Sequence, residues 1–391
     1  MKTVLFIGAG RHQRRAIVRA RELGMRTVAV DRNPEAPGLA EAGTARVLDF
    51  RDVEAVTEIG RREAVDGVLT VSADRAVPAV AAVAEALDLP GIGTETAHRM
   101  THKIAMRRTL ADAGLPQPGF AAVRTLHEAR AAADTVGFPA VLKPADSGAD
   151  LERHLHAALA ESPTHEAIVE AYEEGLELNG LVVVREGEPE LLTLSDRLRP
   201  PGIGFGVGWI HVYPSTLYGD TLAEAERVAV AAVHALGLRD GIAFPQLIAE
   251  EHGRVSVVEV AARIPGGQMA DLATHAVGVD LVEIALRQAL GEEIPDELVR
   301  PRRQQPLTIR FLTAEPGPLP AGKVRSVRGL ERVRAFPGVV QADVFLSEGE
   351  EVRPVRLDGD RRGYVIAVGE TSLEALERAE AACRLLDVEV E

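Results

Sequence analysis

The stretch from Gly241 to Gly267, GIAFPQLIAEEHGRVSVVEVAARIPGG, constrains this chain more than any other. IAFPQLIAE and RVSVVEVAA are rich in β-branched and apolar residues, and the EEHG between them is turn chemistry. The segment therefore predicts two antiparallel strands joined by a tight turn. Gln246 and Glu259 fall near the middles of these strands, where a buried sheet face takes apolar groups. A polar group stranded there costs roughly 2–7 kcal/mol, so either both residues face water on an edge hairpin or something pairs them. A hard cation such as Mg2+, which takes oxygen ligands, is a sufficient partner. Arg263 follows four residues after Glu259 and enters Ile-Pro-Gly-Gly, which brings a permanently charged fork to the same end of the hairpin.

Residues 1–98 alternate strand and helix: strands at Thr3–Ile7, Thr27–Val30, Arg46–Leu48 and Gly67–Val71, helices at Arg11–Leu23, Val53–Arg62 and Ala76–Leu87. That order implies a parallel, doubly wound sheet. Gly8-Ala9-Gly10 closes the first strand and Asp31 ends the second, most of a dinucleotide fingerprint, but Gln13 stands at the third glycine position. Such a loop either holds an anion on a helix N-terminus or is simply the tight turn of a βα unit. Ser72-Ala73-Asp74-Arg75 follows the fourth strand, on the edge where open α/β sheets bind ligands. Asp74 and Arg75 serve equally well as a cap and a solvated face.

Thr101–Ala113 is helical and carries Lys103, Arg107 and Arg108, which taken alone read as a solvated face. A strand at Phe120–Val123 and a helix at Leu126–Val136 lead to GFPAVLKP, where Lys143 ends an apolar strand. An ammonium there calls for an anionic partner. A loop begins at Asp146-Ser147-Gly148, and the chain then enters a helix over Asp150–Ala160. Strands follow at Ala167–Tyr172, Leu181–Arg185 and Leu191–Ser195, then a Gly- and Pro-rich loop at Arg197–Gly208 that reads as mobile. A helix at Leu222–Leu236 precedes the hairpin, and Gln268–Leu290 is mostly helical with Gly278 interrupting it. The charged, Pro-containing stretch 291–305 marks a boundary. Beyond it come strands at Leu307–Leu312, Val339–Phe345 and Gly363–Val368 and a helix at Ser372–Leu386. The expected domains are 1–98, 99–305 and 306–391.

Composition excludes several classes. At 391 residues and 46% hydrophobic, the chain buries sizeable cores, and a net charge of −15 argues against a nucleic-acid surface. Any polyanionic ligand must be met by a local cluster of cations. The single cysteine, Cys383, allows no internal disulfide and suits a reducing compartment. MKTVLFIGAG is too short for a signal core, and no stretch nears the ~20 apolar residues of a membrane span. A cytoplasmic protein with no membrane partner is expected.

HKIAMRRTLADAGLPQP, GFPAVLKPADSG, IVEAYEEGLELNG and the Gln246/Glu259/Arg263 hairpin, in this order, resemble the ATP-grasp superfamily of ligases. GAGRHQ, SADRAVP and RRGYVIAVG resemble its carboxylate–amine ligase branch, which includes L-amino-acid ligases and glycinamide ribonucleotide transformylase-like enzymes. The resemblance implies an α/β fold: a doubly wound N-terminal parallel sheet, a central ATP-binding domain of two α+β subdomains, and a small C-terminal α+β domain. It implies ATP and Mg2+ as cofactors, with Mn2+ as a substitute, and a homodimer. Lys103 and Lys143, with Ser147, would contact the nucleotide phosphates. Glu170 and backbone near Tyr172 would hold the adenine edge, Glu177 the ribose, and Gln246 and Glu259 the metal. Arg263 would orient the carboxylate and stabilise the acyl phosphate and tetrahedral intermediate, with Lys143 counted beside it as catalytic. The substrates would lie between Gly10 and Asp74, Arg263 with Gly266-Gly267, and Arg361-Arg362; adjacent arginines on a strand face opposite ways, so one of the last two reaches the site.

Three positions depart from the family. Gln246 replaces the usual Glu, and Ala261 the frequent Asn. Roughly ten residues of a glycine-rich phosphate lid are missing after Ser147-Gly148, so either the lid is shortened or its segment is not represented in the sequence. The implied activity is amide or peptide bond formation between small carboxylate and amine substrates through an acyl phosphate, releasing ADP and phosphate. The alternatives are a purine-biosynthesis type of enzyme acting on a ribonucleotide and a non-catalytic ATP-binding regulator with a degenerate site.

Overall fold

The computed structural model describes residues 1–143, 155–156, 158–160, 162, 164–201 and 206–391; of Lys143 only the backbone is described. The N-terminal strands β1 (Thr3–Ile7), β2 (Arg26–Asp31), β3 (Thr44–Val47) and β4 (Gly67–Leu69) form a parallel sheet in the order β3-β2-β1-β4. Alternate residues of β1 feed two cores, as the period of a strand requires. Leu5 and Ile7 pack with Val56 and Val83 from helices α2 (Val53–Arg62) and α3 (Val77–Ala86). Val4 and Phe6 pack on the opposite face with Ile17 of α1 (Arg11–Glu22) and Ile284 from further along the chain. The expected doubly wound α/β arrangement is present.

Helices α4 (Thr94–Thr101) and α5 (Lys103–Asp112) lead into a small antiparallel sheet. It comprises β5 (Phe120–Val123), β6 (Ala140–Lys143) and β7 (Ala167–Ala171) in the order β5-β7-β6, backed by α6 (Leu126–Val136). Most of the helix expected over Asp150–Ala160, together with Ser147, lies outside the described residues.

The largest element is an eight-stranded sheet. It takes β8 (Leu176–Arg185), β9 (Glu188–Leu198), β10 (Ile210–Tyr213), β11 (Gly241–Ala249), β12 (Val255–Ala261) and β13 (Leu307–Phe311). With β15 (Val339–Val344) and β17 (Gly363–Val368) the order is β12-β11-β8-β9-β10-β13-β17-β15. β14 (Gly322–Arg328), β16 (Glu351–Val352) and β18 (Asp387–Val390) make a separate three-stranded sheet. Strand β8 runs longer than its apolar core suggested because Leu176 and Glu177 complete the ladder to Ala249 and Ile248 of β11. Strand β9 takes in Arg197 and Leu198, expected as the start of a loop, because they pair with His211 and Ile210 of β10. The β10–β13 pairing carries the sheet across the charged stretch 291–305 without a break in hydrogen bonding.

Even-numbered side chains of β8, Leu178, Val182 and Val184, pack with the Gly219–Ala235 helix, and odd-numbered Leu181 and Val183 join the core shared with β1. That shared core ties the large sheet to the N-terminal one. A Cβ added at Gly67 of β4 would stand 2.5 Å from the Ala289 carbonyl, so the Leu281–Ala289 helix lies directly on the β4 backbone. Gly67→Ala is expected to lower stability by about 1–3 kcal/mol through overpacking against backbone that cannot yield. Urea unfolding measures this, and an unchanged midpoint would show that the helix can shift freely.

Candidate active site

The hairpin forms as its pattern predicts, and Gln246 pairs directly with Glu259 across it. Both residues are half-buried. Helix α5 supplies the cation that makes this tolerable: Lys103 Nζ donates to Glu259 Oε1 at 3.0 Å. Burial of Lys103 opposes its charge, but attraction and hydrogen bonding to Glu259, with Glu170 and Asp74 beyond, raise its pKa overall. Gln246 turns Nε2 toward Asn179 Oδ1, 3.4 Å away, which leaves its own amide oxygen as a donor atom. A carboxylate and an amide oxygen side by side suit a hard divalent cation. Among the described residues no group of three or more His, Cys, Asp or Glu gathers into a metal cage. Ala261 is buried opposite Phe244 and offers no ligand. Mg2+ therefore fits here as an ion that draws its other ligands from a bound phosphate.

One turn after Lys103, Arg107 is 2% exposed rather than solvated, and its Nε donates to Glu170 Oε1 at 2.7 Å. A buried carboxylate needs such a partner. Glu170 thus enters an internal ion pair beside its implied place at the nucleotide base. Tyr172 is half-buried, its backbone N–H donating to the Pro139 carbonyl at 3.0 Å. Glu177 receives Arg197 and, at 2.9 Å, Arg199 Nε, so the implied ribose acid holds two guanidiniums. Ser147 and the Lys143 side chain lie outside the described residues.

The end of the hairpin docks on the N-terminal sheet. Val71 forms a parallel bridge with Ile264, and Ser72 N–H donates to the Ile264 carbonyl at 2.9 Å. This brings Asp74 under Arg263, whose Nε and Nη2 donate to the two carboxylate oxygens at 2.7 and 2.5 Å. The bidentate fork fixes the guanidinium plane. Nη1 is buried with no hydrogen-bond partner among the described residues, as is the Ser72 hydroxyl, which faces Gly266. Of the paired arginines, Arg361 turns inward: it stacks on Phe311 at 4.0 Å, donates from Nε to the Gly208 carbonyl at 2.8 Å, and is paired with Asp358. Arg362 instead donates to the Gly359 carbonyl at 2.6 Å, on its own loop. Burial lowers the Arg361 pKa to about 10, with Asp358 opposing and Arg197 adding to the shift.

Several neighbours escaped sequence reasoning. Buried Asn179 contacts His211 Nδ1 at 3.1 Å, and His211 Nε2 would stand 3.3 Å from a Cβ on Gly267. Burial, then Arg361 and Arg197, drive the His211 pKa well down. His12, just after Gly10, has an open edge but is crowded enough that burial, then Arg361, Arg11 and Arg263, lower its pKa. Lys103, Glu259, Gln246, Arg263, Asp74, Gly266, Gly267 and Arg361 are thus gathered where the large sheet meets the tips of the N-terminal one. The spacing Lys103–Arg107 put both on one helix face and was the available sign of the buried arginine. His211, in a strand of four residues, gave none.

Residues 17–91 match the ATP-grasp N-terminal domain and residues 310–391 match the L-amino acid ligase C-terminal domain 2. A formate-dependent phosphoribosylglycinamide formyltransferase from Ignicoccus hospitalis is 28% identical over 98% of this chain and 95% of its own. An uncharacterized protein from Sinorhizobium fredii is 29% identical over 80% of this chain, which spans 66% of that protein's length. The crystal structure of an L-amino acid ligase from Bacillus licheniformis superposes with a TM-score of 0.83, covering 100% of this chain and 99% of that one at 22% identity, a likeness of fold.

A neutral His211 makes a pH prediction. Its folded pKa is depressed, so below about pH 6.5 the unfolded chain binds a proton that the folded one refuses. The stability it carries is complete above that pH and is lost as pH falls, by up to about 1.4 kcal/mol per pH unit. Thermal unfolding at pH 7.5 and 5.5 is expected to show a smaller acid loss in His211→Gln than in the unsubstituted protein. Equal losses would mean that His211 is protonated in the fold.

Proposed function

The chain belongs to the ATP-grasp superfamily of ligases, and on that premise we propose that it joins a small carboxylate to an amine through an acyl phosphate, releasing ADP and phosphate. The observation that carries the reading is Arg263: four residues after Glu259, it is clamped by Asp74 and keeps a buried Nη1 that has no partner among the described residues. A guanidinium held in this way is prepared to receive a carboxylate oxygen. The nucleotide would lie within residues 99–305, between the β5-β7-β6 sheet and the β11–β12 hairpin. The carboxylate and amine would lie toward residues 1–98 and 306–391, near Gly10, Gly266-Gly267 and Arg361.

Gln246 and Glu259 would hold Mg2+, or Mn2+ in its place, and that ion when bound neutralises phosphate charge. Lys103, with Lys143 and Ser147, supplies positive charge and donors to the phosphates of an otherwise acidic protein. Arg263 orients the substrate carboxylate, whose oxygen attacks the γ-phosphorus as the bond to ADP breaks. The unprotonated amine then attacks the acyl carbon, the carbon–oxygen bond to phosphate breaks, and the phosphate leaves with the proton lost from the nitrogen. Arg263 stabilises the oxyanion of that tetrahedral intermediate; positioning and electrostatics carry the catalysis. Glu170, Tyr172 and Glu177 line the nucleotide side, and we read the enzyme as a cytoplasmic homodimer. No helix among the described residues is long and apolar enough to cross a membrane.

A second reading keeps the chemistry and makes the substrate a ribonucleotide. The Ignicoccus relative favours it, as does inward-turned Arg361, since arginine matches phosphate bidentately. A regulator that binds ATP without turnover is the third.

Incubation with Mg·ATP and pooled amino acids, or with formate and glycinamide ribonucleotide, separates these. ADP and phosphate that require the amino-acid pool support the ligase, and their dependence on the ribonucleotide supports the second reading. ATP binding without any turnover supports the regulator, and AMP release refutes the acyl-phosphate route. Glu259→Ala is expected to weaken Mg·ATP binding by about 100-fold, of the order seen when a metal ligand's support is lost. Unchanged affinity by calorimetry would remove Glu259 from the metal site.

A further inference from the structure

Arg107 does more than neutralise Glu170. Its Nη1 donates to the Val257 carbonyl and its Nη2 to the Val258 carbonyl, each at 2.7 Å. Successive carbonyls of a regular strand point to opposite sides, so one guanidinium can take both only where the strand is distorted. The pairing of the hairpin identifies the distortion. Gln246 pairs with Glu259 and Leu247 with Val257, so Val258 is an extra residue with no partner on β11. It is a β-bulge immediately before the proposed metal carboxylate.

A bulge re-aims the side chains beside it, and a slip of one residue sends a side chain to the other face of the sheet. The face on which Glu259 meets Gln246 and Lys103 therefore depends on the bulge remaining at Val258. Arg107 caps the carbonyl that the bulge frees. Its fork is aligned in turn by Glu170 on β7, a strand of the separate three-stranded sheet. Gln117 braces the middle of α5, donating to the Arg107 carbonyl at 2.8 Å, while Val257 N–H donates to the Pro116 carbonyl at 2.9 Å.

We propose that Arg107 is a positioning residue: it locks the Val258 bulge so that Glu259 faces the phosphate–metal site, and it fixes that site relative to the sheet carrying Glu170. The proposal rests on the reading of this site as one for Mg·ATP. Arg107→Lys keeps the charge opposite Glu170 but cannot fork to two carbonyls. The double variant Arg107→Gln/Glu170→Gln leaves no stranded charge and serves if the first folds poorly, read against Glu170→Gln alone because Glu170 is itself placed at the nucleotide base. Leu181→Ala, a core change in the same sheet, serves as the control for lost stability alone.

Two quantities are measured below the unfolding temperature: the Mg2+ concentration needed for half-maximal ATP binding by calorimetry, and amide exchange of Val257–Val260 in the ligand-free protein. Either Arg107 variant is expected to raise the Mg2+ requirement about tenfold, a loss of directed binding rather than of folding. It is also expected to speed exchange at the bulge selectively, while Leu181→Ala changes neither. Unchanged Mg2+ requirement and exchange in the Arg107 variants, or equal shifts in Leu181→Ala, would overturn the proposal alone. Failure of the unsubstituted protein to bind Mg·ATP would overturn the site reading as well.

Discussion

Glu259 is a carboxylate in the middle of a sheet strand, and the surroundings of the hairpin are organised to keep its charge there. Lys103 meets it at 3.0 Å. The same helix, one turn on, places Arg107 against the carbonyls of the two residues that precede Glu259 by two and by one. Opposite charge at hydrogen-bonding distance favours the charged form of a carboxylate, which suits an anionic ligand set in a protein of net charge −15. Helix α5 is thus less a packing element than a carrier of two cations whose spacing matches a bulged strand.

The arginines around the site follow a common rule. Arg263 is held by Asp74, Arg361 by Asp358, and Arg197 and Arg199 by Glu177. Partly buried pairs of this kind gain little net stability, since removing two charges from water offsets most of their attraction. Their effect is geometric. Each guanidinium has one edge tied to an acid, from a distant segment for Arg263, Arg197 and Arg199 and from three residues away for Arg361, which aims the remaining donors. The Asp74–Arg263 pair crosses from the N-terminal sheet to the hairpin, so the position of the fork depends on the docking of Val71 on Ile264.

Much of this was legible in the chain. The hairpin, the parallel N-terminal sheet and the helix over Leu126–Val136 follow from periodicity and turn residues, which act locally. Gln246 and Glu259 were visible as polar interruptions in apolar strands. What was not legible depended on partners distant in sequence. Arg107 and Arg108 are indistinguishable in composition, yet one is buried because β7 and β12 happen to converge on its side of the helix. Strand β10 has only four residues and takes its identity from β9 and β13 on either side. The bulge at Val258 leaves no mark in composition; it exists because Gln246 pairs with Glu259 while Leu247 pairs with Val257.

The N-terminal loop shows how a familiar pattern acquires another use. Asp31, at the position of a ribose-binding acid, accepts from the backbone N–H of Ala9 and of Asn33, each at 2.8 Å. Its carboxylate therefore braces the glycine turn itself. Gln13, where a third glycine would admit close helix–strand contact, fills the space beside Gly8 and Gly10 and donates to the Val71 carbonyl. That bond fastens the helix to the chain two residues past the end of β4, one residue before the turn that carries Asp74. The carboxyl edge of the sheet keeps its general role of facing a ligand site. Here, however, its glycine turn and acid are spent on holding α1 and the Asp74 turn in place, and what that edge presents to the site is a correctly placed Arg263.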